Sequence, residues 1–365
     1  MIRQLKTFTL RLIAGANVVT VVLMLMVGCS GRLNPDTHPM LSNANLFFPV
    51  FMIVNFAFLV FWLLFKWRWV LIPLAGYVVC YVPMRQYTPF NICRDTPRDA
   101  MKILSYNVHG FSGLNSTDGT PRRLLSYIAV QDADIVCLQE AHLSPYQAMV
   151  DSILGELYPH QETVRLAEGG DCVAVLSKYP ILRKERIEYP SRGNLSAAFY
   201  LKLPTDTLLV INNHLETTGL SPEDRSQFKS LVKGELRDKQ VVEETSKLLI
   251  YKLAEATAKR APQARAVADY IKAHQGKPMI VCGDFNDGPQ SYSLRTVAEG
   301  LTDCYVASAN GPGISYNRNG FFVRIDHILC SDDLEPYNCR VDRKIKDSDH
   351  YPIICWVKGV LNPKK

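Results

Sequence analysis

Six short apolar runs in this chain each carry an Asn, Asp, Glu or His at or near an end. They are Ile103-Leu104-Ser105-Tyr106-Asn107, Asp134-Ile135-Val136-Cys137-Leu138-Gln139-Glu140, Leu208-Leu209-Val210-Ile211-Asn212-Asn213-His214, Met279-Ile280-Val281-Cys282-Gly283-Asp284-Phe285-Asn286, Val323-Arg324-Ile325-Asp326-His327-Ile328-Leu329 and Ser348-Asp349-His350-Tyr351-Pro352-Ile353. Short runs rich in Val, Ile and Leu read as buried strands. Open α/β sheets keep their sites at the carboxyl ends of such strands. A single polar strand end is what any turn produces. Six together form a pattern that core packing does not require.

Between and around these runs the periodicity changes. Thr120-Pro121 opens a helix to about Gln131, with Leu124, Leu125, Ile128 and Ala129 at helical spacing, and 145–157 reads as another. Segments 171–177 and 197–203 are strand-like, 291–299 is a short helix, and 321–329 and 353–359 close the chain as strands. The polar stretch 221–274 reads as two or more helices broken near Pro262. Strands outnumber helices and do not alternate with them regularly, so two sheets packed face to face with helices outside are expected.

The first 85 residues are of a different kind. Segment 46–65 is 20 residues long without a charge, enough to cross a bilayer as a helix, and 12–27 and 70–83 are further apolar stretches. Pro73 and Pro83 make 70–83 the weakest span, so two to three transmembrane helices are expected over 1–85. Of the chain's net charge of +6, all lies in this region, which holds seven Lys or Arg and one Asp, leaving 34 of each sign beyond it. Three spans with Arg3, Lys6, Arg11, Lys66 and Arg68 in the cytoplasm satisfy the positive-inside bias and place the rest of the chain outside a bacterial inner membrane. If the third stretch does not cross, the placement reverses. Met26-Val27-Gly28-Cys29 also matches the end of a lipoprotein signal, although the apolar hairpin beyond it favours a retained first span. Residues 86–100 read as a linker and 101–365 as the second domain, with a helical insertion over 217–275.

Ten cysteines without Cys-x-x-Cys spacing indicate neither zinc nor a redox pair, though Cys330 and Cys339 are close enough in sequence to bridge in an oxidising compartment. Glu140, with Asn107 and Asp349 as further oxygen donors, is a ligand set for a hard cation such as Mg²⁺ or Mn²⁺. A cation, a histidine and positioned Asp or Asn groups are what phosphoester hydrolysis needs. His350 is the candidate base and Asp326 its orienting carboxylate, because the adjacent Asp349 faces elsewhere. His109 is placed to line the same cleft, whereas His142, His160, His274 and His327 read as packing or surface residues.

Ser105-Tyr106-Asn107, Leu138-Gln139-Glu140, Asn212-Asn213-His214-Leu215, Gly283-Asp284-Phe285-Asn286, Arg324-Ile325-Asp326-His327 and Ser348-Asp349-His350 resemble, in order, the motifs of the endonuclease/exonuclease/phosphatase superfamily over about 101–359. The resemblance implies a deoxyribonuclease-I-like four-layered α/β sandwich of two mixed sheets. It also implies Glu140 as principal metal ligand with Asn107 and Asp349 nearby, and Asp284 orienting or deprotonating the nucleophile. Asn286 and Asn212 would contact phosphate, Asp326 and His350 would form a pair, and His214 would be a second phosphate-contacting histidine that could also assist the leaving group. The apolar segments ahead of the domain resemble a bacterial membrane-attached subgroup. His327 stands where abasic-site endonucleases commonly have Tyr, and the 217–275 insertion reads either as a cap over the cleft or as surface decoration.

A membrane-anchored, divalent-metal-dependent phosphoesterase is therefore expected, acting on a phosphodiester or phosphomonoester, with no obligate protein partner. The alternative is an endonuclease or exonuclease on DNA, abasic-site DNA included. The membrane region and the neutral second domain weigh against it, since nucleic-acid backbones are held largely by Lys and Arg. A degenerate, non-enzymatic binding module would have shed Glu140, Asp284 or His350, and all are present.

Overall fold

The structure, a computed structural model, describes residues 2–112, 119–166, 170–235, 238–318 and 320–359. The end of the expected second domain, 360–365, and positions 236–237 of the insertion lie outside the described residues.

The amino-terminal region is helical: α1 (Ile2–Gly28), α2 (Pro39–Ser42), α3 (Phe48–Phe65), α4 (Leu71–Val79) and α5 (Tyr81–Tyr87). Two helical stretches, Ile2–Arg32 and Pro39–Phe65, are long and apolar enough to cross a membrane. The third expected span is broken, with α4 and α5 bent by 66° at Cys80. Amides inside this apolar bundle are costly unless paired. Accordingly Asn17 donates to Asn55 at 3.2 Å and accepts from the Trp62 indole at 3.1 Å, while Asn55 donates to the Pro73 carbonyl at 3.0 Å. These bonds tie α4 into the bundle.

Beyond the linker the chain forms β1 (Met101–Asn107), α6 (Thr120–Gln131), β2 (Ile135–Gln139), α7 (Gln147–Leu154), β3 (His160–Arg165), β4 (Cys172–Ser177), β5 (Ile181–Ile187), β6 (Leu195–Lys202) and β7 (Thr207–His214). There follow α8 (Pro222–Val232), α9 (Lys239–Ala273), β8 (Met279–Asp284), α10 (Tyr292–Val297), β9 (Thr302–Asp303), α11 (Cys304–Ser308), β10 (Tyr316–Arg318), β11 (Phe321–Val323), β12 (Asp326–Cys330), β13 (Leu334–Val341) and β14 (Ile353–Gly359). One six-stranded sheet has the order β13-β14-β1-β2-β4-β3 and the other β5-β6-β7-β8-β12-β9. Both are mixed, with one parallel pair each, β1 with β2 and β7 with β8. Parallel neighbours need a crossover, supplied by α6 in one sheet and by α8 and α9 in the other.

Strand alternation sorts the side chains into layers. Ile103, Cys137, Val175, Val210, Ile280 and Ile328 meet between the sheets. Leu104, Val136 and Leu138 face α6 and α7, and Leu209, Ile211 and Val281 face α9 and α10. The result is the expected four-layered sandwich.

Several local expectations fail for physical reasons. Helix α9 runs through Pro262 without ending there, because both flanks are held: Arg260 donates to the Glu216 carbonyl at 3.1 Å and Gln263 to that of Pro190 at 3.1 Å. The expected strand 321–329 is two strands, since Ser315 Oγ accepts from the amides of Ile325 and Asp326 and turns the chain between sheets. The helix expected over 145–157 is shortened by a 3₁₀ turn at Ser144–Tyr146. Cys330 and Cys339 are free thiols buried in the inter-sheet core, not a disulfide. Strands β3, β5 and β13 carry too many charged or polar residues to be read as strands from periodicity.

The helical region is docked on the sandwich. Gln290 donates to the Pro83 carbonyl at 2.7 Å and buried Arg324 to that of Gln86 at 2.6 Å. The loop between α1 and α3 lies on α9 and α10, where Thr257 donates to Asn43 at 2.8 Å and Arg265 pairs with Asp36 at 2.9 Å. Gly31 is what this approach requires, for a Cβ there would fall 1.8 Å from the Gln290 carbonyl oxygen.

Candidate active site

Residues 105, 107 and 139, then 212, 214, 284 and 326, share strand parity with the inter-sheet core positions. The alternation that packs the core therefore aims Asn107, His214, Asp284 and Asp326 into one cleft at the end of the sandwich. Register fixes their neighbours: Asp326 stands opposite Asp284, and His214 lies beside it on the other side. Gly283 permits that join, because its φ is 128° and a Cβ would lie 2.0 Å from the Asn213 carbonyl oxygen.

Asp284 forms the floor. Its Oδ2 accepts from the Asn107 amide at 3.0 Å and its Oδ1 from the Asn286 backbone N–H at 2.8 Å. Two imidazoles flank it, His350 with Nε2 at 3.5 Å and His214 with Nε2 at 3.6 Å. The far nitrogen of each is held by a buried carboxylate. His350 Nδ1 donates to Asp326 at 2.8 Å, and His214 Nδ1 to Asp171 at 2.5 Å. The Asp326–His350 pair was expected; Asp171 was not.

These contacts set the charges. Burial, aided by Asp326 and opposed by His350 and His214, lifts the Asp284 carboxyl to about 6. Burial disfavours the charged form of both histidines, but Asp171, Asp284 and Glu140 outweigh it at His214 and push that ring up to about 10. Asp326 and Asp284 do the same at His350, which is held well above the usual histidine range. Both environments thus favour the imidazolium form of the ring, the form that donates hydrogen bonds.

Glu140 stands just past β2 at φ 51°, and His109 and Asn286 adopt φ of 47° and 49°. Non-glycine residues hold that region only where their surroundings impose it. Burial works against ionisation of Glu140, yet hydrogen bonds from His109 and Asn107 and the nearby His214 keep it well below the carboxylate range. Its Oε2 and the Asp349 Oδ1 each lie 3.6 Å from His109 Nδ1. Two carboxylates converging on one imidazole nitrogen at the cleft wall supply hard oxygen donors of the kind a divalent cation takes. Asn107 presents its amide nitrogen to Glu140 at 3.1 Å and to Asp284 at 3.0 Å and spends its oxygen on the His109 N–H, so here it bridges Glu140 and Asp284. Two groupings of ligand-type side chains overlap these pairs: Asp284 with Asp326 and His350 contains the Asp326–His350 pair, and His142 with Asp171 and Cys172 shares Asp171 with the other.

Two expected phosphate contacts are placed differently. Asn286 lines the cleft, with its amide donating to the Leu215 carbonyl at 3.0 Å. Asn212 is not brought to the cleft. It is buried between the sheets, donating to the carbonyls of Leu138 at 2.9 Å and Ala174 at 3.0 Å and accepting from Gln139 at 2.6 Å.

The cleft is a cavity of about 200 Å³. Besides His109, Glu140, His214, Asp284, Asn286, Asp349 and His350, its walls include Tyr316 and the insertion residues Thr217, Leu220, Arg225, Leu253 and Arg260. The 217–275 insertion is thus part of the cavity wall and not decoration. Tyr316 meets His350 edge to face at 5.2 Å, and Arg225 reaches the Tyr316 hydroxyl at 3.4 Å. Asn43 and Leu46, from the 3₁₀ turn Asn43–Phe47 in the first part of the second membrane-length stretch, complete the wall.

A family model described as "Endonuclease/Exonuclease/phosphatase family" matches residues 104–350, and a domain of unknown function matches 10–87. None of the curated proteins searched matches the chain. Among solved structures it is similar to an endonuclease/exonuclease/phosphatase from Beutenbergia cavernae, at 17% identity and TM-score 0.51, covering 72% of each chain. It is similar to TDP2 of D. rerio complexed with single-strand DNA product, at 17% identity and TM-score 0.51, covering 71% of this chain and 99% of that one. A third is an endonuclease/exonuclease/phosphatase family protein from Bacteroides thetaiotaomicron, at 19% identity and TM-score 0.50, covering 73% and 100%. At such identities the likeness shows the fold.

Proposed function

The chain belongs to the endonuclease/exonuclease/phosphatase family, and from that premise we propose that it is a membrane-anchored, divalent-cation-dependent phosphoesterase. The observation that carries this reading is the convergence of two Asp–His pairs on Asp284 beside Glu140. Water attacks phosphorus, and its proton passes to Asp284, whose acidity near 6 suits a base at neutral pH. His350 and His214, held protonated by Asp326 and Asp171, donate to the phosphoryl oxygens as negative charge builds. As the P–O bond to the leaving group breaks, His214 is positioned to return a proton to the departing oxygen. Asn286 and Asn107 hold Asp284 in place through its two oxygens.

Glu140 and Asp349, with Asn107 beside them, would hold Mg²⁺ or Mn²⁺. When bound, the ion supplies positive charge to a phosphoryl oxygen. Positive charges at both ends of the α1–α3 hairpin, Arg3, Lys6, Arg11, Lys66 and Arg68, support an amino terminus in the cytoplasm of a bacterial inner membrane. The sandwich docks on the opposite, loop side of that hairpin, which supports an extracytoplasmic position for it.

The test is hydrolysis of bis(4-nitrophenyl) phosphate by the full chain in nanodiscs with Mg²⁺. Asp284→Asn and Glu140→Gln are each expected to lower kcat by about 10³-fold or more, and EDTA to abolish turnover reversibly. Folded variants with near-parental activity, or turnover indifferent to EDTA, would overturn the proposal.

A further inference from the structure

The catalytic cavity is built from both parts of the chain, and its lining is part charged and part apolar. Beside the charged floor, Leu46, Leu220, Leu253, Phe321, Val323 and Ile325 supply the apolar part, among polar groups such as Thr217, Thr218 and Arg225. Leu46 lies two residues before α3, within Pro39–Phe65, one of the two stretches of membrane-spanning length. Leu220 and Leu253 come from the insertion, whose helix α9 is fastened to the same loop through Thr257 and Asn43. Part of the apolar lining of the cavity is therefore supplied by the segment that leads into a helix of membrane-spanning length. Arg225 faces this cavity, with no carboxylate in ion-pair distance among the described residues.

Resting on the phosphoesterase reading above, we infer that the substrate is an amphiphilic phosphoester drawn from the bilayer. Its phosphate sits on the Asp284 floor within reach of Arg225, and its hydrocarbon chain lies against Leu46, Leu253 and Leu220. A wholly polar phosphoester leaves that apolar wall wet and gains nothing from it. A nucleic-acid strand is the other large phosphoester, but its backbone calls for a basic track. The part of the chain beyond residue 85 carries 34 residues of each sign and offers no excess charge for one. The loop at 43–46 thus acts as a specificity element that the membrane region lends to the active site.

The experiment uses alkyl 4-nitrophenyl phosphodiesters, from ethyl to octyl, with the full chain in nanodiscs and Mg²⁺. Burial of each added pair of methylenes is expected to raise kcat/KM by about ten-fold until the wall is filled. The double variant Leu46→Ser/Leu253→Ser is expected to lower the octyl-to-ethyl ratio by at least about ten-fold, which partition of the esters into lipid does not do. If that variant fails to fold, Leu46→Phe keeps the test alive by moving the optimum to a shorter chain. Turnover of the ethyl ester with no dependence on chain length, or a dependence unchanged by the wall variants, would overturn the inference and leave the phosphoesterase reading standing. No turnover of any ester would instead overturn the reading on which it rests.

Discussion

Asp171 offers the sharpest probe of the proposed chemistry, because it touches no substrate and acts only through His214. The two groups are 2.5 Å apart, with side chains 4% and 9% exposed. At an effective dielectric constant near 20, unit charges about 4 Å apart attract by about 4 kcal/mol. Asp171→Asn removes that charge but keeps an acceptor, and Asp284 and Glu140 still face the ring. About 2–3 kcal/mol of the attraction is then lost, or about two pK units at His214. His214 must be protonated to act as donor, so the alkaline limb of kcat/KM, set by the ring near 10, moves down by about two units. The same pairing bears on stability. A histidine raised above its unfolded value stabilises the fold fully below that value, near pH 6.5. The contribution is lost as pH rises through about 10, so the stability gap between parent and variant has its full size up to about neutrality and closes in strong base. The pH–rate profile on bis(4-nitrophenyl) phosphate and an NMR titration of the His214 ring read both effects. An alkaline limb and ring titration unmoved in a folded D171N variant would refute the pairing argument.

Two further substitutions separate packing from catalysis. Asn212→Ala strips hydrogen bonds from the Leu138 and Ala174 carbonyls and from Gln139, and should cost about 3 kcal/mol in denaturant unfolding while leaving kcat within about ten-fold. A folded N212A variant with normal stability and collapsed activity would restore the phosphate contact implied by resemblance. Gly283→Ala drives a Cβ against the Asn213 carbonyl at a φ of 128°, and is expected to destabilise by about 3 kcal/mol or more in the same assay.

Much of the site was legible because strand parity writes it into the chain. Asn107, His214, Asp284 and Asp326 each sit an even number of residues from an apolar neighbour that packs between the sheets. Asp171 obeys the same rule relative to Val173 and Val175, and that parity could have exposed it. It precedes its strand and has no polar neighbour in sequence to set it apart. Parity also misled, for Asn212 faces inward like the others but lies two residues short of the strand end, where two carbonyls and an amide satisfy it. Edge strands β3 and β5 were invisible because charges such as Glu162, Arg183 and Lys184 mask their alternation. The contributions of Arg225 and Leu46 had no local signature. Each reaches the cavity from a segment whose own periodicity serves another purpose, and only the docking of one region on the other reveals it.

That docking has a kinetic meaning. With Gly31 pressed on Gln290, and Pro83 and Gln86 capped by side chains of the sandwich, the cleft has no stalk on which to swing into solution. On the proposed reading, an enzyme without reach meets only what arrives by lateral diffusion. Its rate then follows the mole fraction of substrate in the plane of the bilayer. Inert lipid added to the same vesicles slows it, although nothing in the bulk solution has been diluted.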